Sequence, residues 1–453
     1  MRTNSAHSTG RLRRGAATPV DVYLFPAVVG GGLGDIEEVL ACGRHLEAAG
    51  FPLTLYRRRG RALPRSVEGP FDWPAHARRS KILERGRAST AVTVSPCWGV
   101  SAAPSRPEPF GRGGVWEEEC SDIERAYGPE QTLHISFEEF ARTLTSREET
   151  IERYREGGVP SRKIRVRSRT AEFAREVEQF HDALVRYRAF DRPNILHLYS
   201  TFHPRRSFVR EFPEAVQCGP LPSGRRRSRP RTSGGARRGA WVWYASPASS
   251  HRLIEPILSG LAARTPASAI SIHTPRPMPG TVDRSARGVV RIVLGLEARG
   301  NWQDEFDQAR VRVVTGSRTL LEALELGGPF LYFNGLMGDR SPRRHRPEKI
   351  TALLDLGRRA RLDPGLLRDL DDFSRGRRVG EIVMRADQRL GGWRRFPVFR
   401  PGISGFPPGY ENAGTLVTSV VRSLTGRPGE VVDLVREVRS GVFRWPGVRT
   451  SAG

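Results

Sequence analysis

The chain has 453 residues, 38% of them hydrophobic, and a formal net charge of +25. That length exceeds one ordinary core and predicts two domains, while the longest apolar runs are strand-sized and fall short of the roughly 20 residues of a membrane span. Cys42, Cys97, Cys120 and Cys218 show no CxxC spacing, which argues against a zinc ribbon, an iron–sulfur cluster or a disulfide scaffold and predicts buried free thiols.

The basic surplus invites a nucleic-acid reading. Of the 74 basic residues, however, only Lys81, Lys163 and Lys349 are lysines, and the arginines are spread along the chain rather than gathered in one arm. Nucleic acid is therefore not expected as the main ligand. Anionic substrates and an acidic membrane surface are the expected partners of this charge. The stretch 1–18 is basic, lacks the apolar run of a secretory signal and reads as a disordered N-terminus. A cytoplasmic protein is expected, with peripheral attachment at the inner face of the membrane as its extension.

In chain order, the first predicted element is a buried strand at Asp21–Leu24, followed by the glycine loop Gly30, Gly31, Gly32 and Gly34. A helix over Ile36–Ala49 places Ile36, Val39, Leu40, Gly43 and Leu46 on one side, and Phe51–Arg58 reads as a second strand. This βαβ unit implies a parallel sheet. Strands follow at Ala91–Val94 and Asn194–Tyr199. Helices are predicted at Ser146–Gly157, with Ser146 and Glu149 as a capping box, and at Thr170–Arg188. Pro222–Gly239 carries seven arginines and no acid, so it reads as an exposed interdomain linker.

Beyond the linker the alternation restarts. Strands are predicted at Ala240–Ala245, Ser268–His273, Gly288–Gly295, Val311–Gly316 and Pro329–Asn334, and helices at Ser249–Ala263, Trp302–Ala309, from Ser317 onward and around Lys349–Leu356. Two closing helices, Asn412–Leu424 and Glu430–Arg439, end the pattern. The fold class is α/β, with two Rossmann-like doubly wound domains facing a cleft. The domain boundaries read as 1–18 for the N-terminus, 19–221 for the first domain and 222–239 for the linker. The second domain takes 240–395 and the closing segment 396–453.

Ligands of open α/β sheets bind outside the carboxyl ends of the strands, so chemistry is sought in the loops there. The GxGxxG dinucleotide fingerprint fails in the first glycine loop, and basic residues follow the second strand where an acid is expected, so NAD and FAD are disfavoured. Asp35 is either an N-cap or a carboxylate that serves as base or as acceptor for a sugar hydroxyl. In the second domain Ser317 and Thr319 lie at a helix N-terminus suited to phosphate, and Glu322 lies one turn further on the Thr319 face. Leu320, Leu321 and Leu324 are core candidates.

This last stretch carries a family resemblance. Gly316, Thr319, Leu320, Glu322, Gly327 and Pro329 fill a G-x-x-T-L-x-E-x-x-x-x-G-x-P pattern. It resembles the donor-site motif of GT-B fold glycosyltransferases, closest to the inverting branch that includes the lipid II-forming N-acetylglucosaminyltransferase. His345 matches that branch, whereas Arg346 and Lys349 stand where glutamine and asparagine are usual, and "QCGPL" (Gln217–Leu221) resembles its domain-closing stretch. Asp35 replaces the histidine that usually ends the first loop. "GGLGD" is closer to the retaining glycogen-synthase loop, but Val314 stands where those enzymes carry the first of two glutamates eight positions apart.

The resemblance implies a nucleotide-sugar donor, commonly UDP-linked, on the second domain and an acceptor hydroxyl on the first, with hexosyl or N-acetylhexosaminyl transfer. The acceptor is unknown, with lipid-linked or cell-envelope glycans as the class considered. It implies inversion without a metal and without a cofactor beyond the donor substrate. Glu322 would bind ribose, Gly316, Ser317 and Thr319 the phosphates, and His345 the sugar or phosphates. Arg318 or Arg346 would supply positive charge, Ser249 and Ser250 would contact phosphate, and Asp35 or His203 would be the base. A UDP-sugar 2-epimerase and a degenerate, non-catalytic GT-B protein binding nucleotide or RNA are the alternatives.

Overall fold

The computed structural model describes residues 19–25, 34–56, 78–80, 88–96, 122–139, 193–204, 215–224, 241–245, 253–263, 269–274, 290–294, 299–333, 348–386 and 405–443. They form two separate parallel sheets. The first comprises β1 (Val20–Leu24), β2 (Leu53–Tyr56), β3 (Arg78–Ser80), β4 (Thr90–Pro96), β5 (Thr132–Glu139), β6 (Ile195–Ser200) and β7 (Ala215–Cys218). Its order is β3-β2-β1-β4-β5-β6-β7, with every pairing parallel. The second comprises β8 (Trp241–Tyr244), β9 (Ile270–Thr274), β10 (Val290–Leu294), β11 (Val311–Val314) and β12 (Phe330–Tyr332). Its order is β10-β9-β8-β11-β12, again all parallel.

Both sheets therefore run outward in one direction from their first strand and then reverse, the doubly wound order expected from alternating strands and helices. In the first sheet the reversal lies between β1 and β4, and helix α1 (Gly34–Ala48) starts close behind β1. In the second it lies between β8 and β11. Helices α3 (Ile254–Ala262), α4 (Arg299–Gln308), α5 (Ser317–Leu326), α6 (Glu348–Arg359), α7 (Pro364–Ser374) and α8 (Val379–Arg385) belong to this half. A short helix, α2 (122–127), precedes β5.

One face of the first sheet is apolar. Val22, Leu24, Val92, Val94, Ile135 and Leu198 pack against Val39 and Leu46 of α1 in one buried cluster. That cluster also takes Leu416, Val417 and Val421 of α9 (Ala413–Gly426) and Leu434, Val435 and Val438 of α10 (Val431–Ser440). α9 and α10, the last two described helices, thus complete the core of the first domain, and covering this face supplies most of their stability. Asn412 caps α9 by accepting from Thr415 N–H at 3.1 Å.

The opposite face is polar and aromatic. The Tyr23 and Tyr127 hydroxyls meet at 2.7 Å, and Tyr127 donates to Asp21 at 2.6 Å. Thr93 Oγ1 bonds His134 Nδ1 at 2.7 Å, and His134 Nε2 meets Glu124 Oε1 at 2.8 Å. Asn194 donates to the same Glu124 oxygen at 2.8 Å. These buried polar groups pair with one another, as burial requires.

Strand positions follow the sequence pattern where apolar runs are long. β1, β2, β4, β6 and β8 to β12 lie within a residue or two of expectation, as do α1, α5, α9 and α10. β3, β5 and β7 were not anticipated. In β5, Leu133, Ile135 and Phe137 alternate with Thr132, His134 and Ser136, a period-two pattern that was legible. β3 ("RRS") is an edge strand with no apolar signal. α8 was also missed, whereas "LDDF" (Leu370–Phe373), which reads as part of a helical run, lies on α7, its acidic pair between buried Leu370 and Phe373. The helices predicted at Ser146–Gly157 and Thr170–Arg188 lie outside the described residues, as do residues 1–18. Cys42 and Cys218 are buried free thiols whose pKa burial raises, as predicted, while Cys97 and Cys120 lie outside the described residues. No helix among the described residues is long and apolar enough to cross a membrane.

The segment after β7 packs closely against the chain that leads into α9, and Gly219 marks the contact. Its N–H donates to Tyr410 O at 2.6 Å, and a Cβ there would stand 1.8 Å from Glu411 O. Gly219→Ala should therefore destabilise the protein by about 3 kcal/mol, the upper end of ordinary overpacking. Gly426→Ala adds a methyl that meets open space at the end of α9 and should leave stability unchanged or raise it by up to about 1 kcal/mol. Urea unfolding of the two variants checks the contrast.

Candidate functional site

The reversal between β8 and β11 brings two carboxyl ends side by side, and the residues after β11 tie them. Thr315 is buried and donates its hydroxyl to Tyr244 O, at the end of β8, at 2.8 Å. Gly316 is extended (φ −100°, ψ 164°) and caps α5. Glycine has no side chain to cap the first-turn N–H groups, and Thr319 Oγ1 instead ties back to the cap residue itself. It accepts from Gly316 N–H at 3.3 Å and donates to Gly316 O at 3.2 Å. The first turn of α5 is thus held rigidly at the switch point, with the backbone N–H groups and positive dipole end characteristic of a helix start.

Leu320, Leu321 and Leu324 are buried beneath α5, as the spacing predicts. Glu322 is also buried, with Oε1 3.8 Å from Arg318 Nε one turn earlier. The structure thus brings Gly316, Thr319, Arg318 and Glu322 together, with Ser317 as the first residue of the same helix. Nearby, His273 at the end of β9 meets Glu305 of α4 at 3.0 Å.

Asp35 lies in the first turn of α1, behind β1 and beside the other switch point, together with Gly34. His203 lies at the bend after β6. Arg359 at the end of α6 donates an N–H to its Nε2 at 2.8 Å, so that nitrogen acts as acceptor and the ring proton is assigned to Nδ1. Gly405, with φ +78°, packs against the same two side chains. Gly30, Gly31, Gly32, Ser249, Ser250, His345 and Arg346 lie outside the described residues. Among the described residues no cluster of three or more metal-ligating side chains occurs.

The contacts that sequence reasoning missed hold the segment Pro220–Ser223. Ala413 N–H donates to Pro220 O at 3.3 Å, Arg318 Nη1 to Leu221 O at 2.8 Å, and Arg44 Nε to Ser223 O at 2.6 Å. His45 Nε2 lies 3.1 Å from Pro222 O. Ser223 donates its N–H and its hydroxyl to the two oxygens of Glu325, each at 2.5 Å. Pro222 and Ser223 were expected to open an exposed linker. Instead Ser223 is buried, because four side chains from two domains converge on this backbone. Arg318, expected beside the phosphates, spends Nη1 on Leu221.

No protein-family model and no curated protein matches the chain. Solved structures similar to it include a UDP-glucosyltransferase from Polygonum tinctorium. It is 11% identical over 90% of this chain and 99% of that one, with a TM-score of 0.46. A variant of Os79 from O. sativa in complex with UDP is 12% identical over 93% and 100%, with a TM-score of 0.45. A putative UDP-N-acetylglucosamine 2-epimerase from Listeria monocytogenes is 8% identical over 90% and 95%, also at 0.45. Likeness at this level carries no functional argument, and the site's own residues must supply it.

His45 is the titrating member of the interdomain contact. Burial lowers its pKa, its bond to Pro222 O opposes that, and Arg318 and Arg44 lower it further against Glu325. The folded protein therefore holds it neutral, while the unfolded chain takes up a proton near pH 6.5. Its contribution is present above that pH and is lost as pH falls below it, by about 1.4 kcal/mol per pK unit of depression. The melting temperature should fall between pH 7.5 and 5.5, and His45→Gln should flatten part of that slope in calorimetric scans.

Proposed function

We propose that the protein is a glycosyltransferase that moves a sugar from a nucleotide-sugar donor, UDP-linked by the motif, to an acceptor hydroxyl. The observation that carries this reading is the placement of the donor-type motif. Gly316, Ser317, Thr319 and Glu322 form the start of α5 at the reversal point of the second sheet, where ligands of doubly wound sheets bind. The diphosphate lies against the N–H groups of that helix start, and Glu322 accepts from the ribose hydroxyls. His345 and Arg346, with Ser249 and Ser250, complete the donor contacts.

Asp35 takes the acceptor proton as the hydroxyl attacks the anomeric carbon, and the negative charge of the departing diphosphate is held by the α5 dipole. This is inverting displacement, which needs one base and no covalent enzyme intermediate. His203 is the second candidate base. Its Nε2 accepts from Arg359, so base action there requires Arg359 to leave. The acceptor binds the first domain, and a cell-envelope or lipid-linked glycan fits the arginine-rich composition. The same charge suits a protein held peripherally at the inner face of a membrane. Hexosyl and N-acetylhexosaminyl donors are both compatible with this site.

UDP at one hundred times its Kd should stabilise the protein by about 2.7 kcal/mol, seen as a raised melting temperature, and Glu322→Gln should lose this shift. Asp35→Asn should abolish transfer while leaving the UDP shift intact, and surviving activity would reduce Asp35 to a helix-start residue. A panel in which no nucleotide stabilises the protein, beside tight salt-sensitive RNA binding, would overturn the enzyme reading in favour of a non-catalytic GT-B protein.

A further inference from the structure

α5 works at both ends. Its first turn carries the proposed diphosphate contacts together with Arg318, its third turn carries Glu325, and these two side chains grip the chain that joins the domains. Arg318 Nη1 holds Leu221 O at 2.8 Å, and Glu325 holds both donors of Ser223 at 2.5 Å. From the first domain, α1 grips the same stretch. Arg44 Nε donates to Ser223 O at 2.6 Å, and His45 Nε2 lies 3.1 Å from Pro222 O. Arg44 is itself held at 3.3 Å by Glu37, two residues after Asp35 on the same helix. Three residues of backbone are therefore the shared rung between α5 and α1.

The geometry of the rung sets a relative position rather than merely burying surface. Carbonyl groups accept and N–H groups donate within a limited range of angles, so two helices bonded to one short backbone stretch are fixed in register with each other. Glu325 must be a carboxylate to do this, because a neutral amide presents one acceptor oxygen where two donors converge. Arg318 is buried and lies between Glu322 and Glu325, at 3.8 and 4.0 Å, which aims its fork at Leu221.

We infer that Arg318 and Glu325 are positioning residues, which act through the Leu221–Ser223 backbone to set the Asp35 end of α1 relative to the donor-binding end of α5. This inference rests on the donor-site reading above. It gives Arg318 a task separate from neutralising the diphosphate. A displacement of about 1 Å between the two helix starts is enough to lower turnover by about a hundredfold while leaving either ligand site intact.

The test uses the full chain with Glu325→Gln, Ser223→Ala and Arg318→Lys. The first two variants should keep the calorimetric Kd for UDP within about threefold of the parent while kcat falls at least about tenfold at unchanged donor KM. Arg318→Lys, which retains a charged N–H donor, should fall less than Arg318→Ala. In the ligand-free protein, Glu325→Gln should split one thermal unfolding transition into two and alter the small-angle scattering profile. Unchanged kcat across the set overturns the inference. So does a loss of UDP affinity in step with kcat, which would make these residues ligand contacts. Failure of the parent to bind UDP sinks the donor reading instead, and the ligand-free transition and scattering then decide the positioning role alone, with no change overturning it.

Discussion

The arrangement of this molecule depends on how Gly219 to Ser223 is held. β7 ends at Cys218, and the next five residues pass between Tyr410, the start of α9, the end of α1 and the flank of α5. The carbonyls of Pro220 to Ser223 each find a partner, and most partners are side chains from distant parts of the sequence. Buried carbonyls left without partners would each cost about 1–3 kcal/mol. Charge-assisted bonds from arginine and glutamate turn that liability into a joint. Gly219 is required because Glu411 approaches closer than any Cβ allows.

The joint also fixes where α9 and α10 sit. α9 begins at the same place, with Gly414 against the His45 ring and Ala413 bonded to Pro220. α9 and α10 then cover the apolar face of the first sheet, although they follow the second domain in sequence. Two chain segments thus cross between domains beside each other, and α5, which carries the candidate donor site, packs along that crossing. Site and joint share one helix. Chemistry that needs groups from both domains would therefore take its geometry from hydrogen bonds to this backbone.

Much of the architecture was legible because parallel strands buried on both faces must be apolar along their length. "VDVYL", "ILHLYS" and "WVWY" read as strands for that reason, and the leucines of α5 as its buried side. β5 escaped because its polar positions face a layer of paired histidine, threonine and glutamate rather than hydrocarbon. Arg312 escaped in a similar way. It is buried in β11, and burial lowers its pKa to about 10, yet it donates to Phe306 O and Asp307 O at the end of α4. A buried arginine that closes a helix end leaves no periodic trace in sequence.

By itself the sequence determined the alternating element types, the two parallel sheets and the glycine-to-proline pattern around α5, because periodicity and backbone preferences act over a few residues. Tertiary structure alone decided that Arg318 turns to Leu221, that Glu325 closes on Ser223, that His45 is held neutral between two arginines and that α9 and α10 return to the first domain. Those outcomes depend on which partners the fold brings within about 3 Å, the range over which hydrogen bonds operate. A local pattern of residues carries no record of that distance.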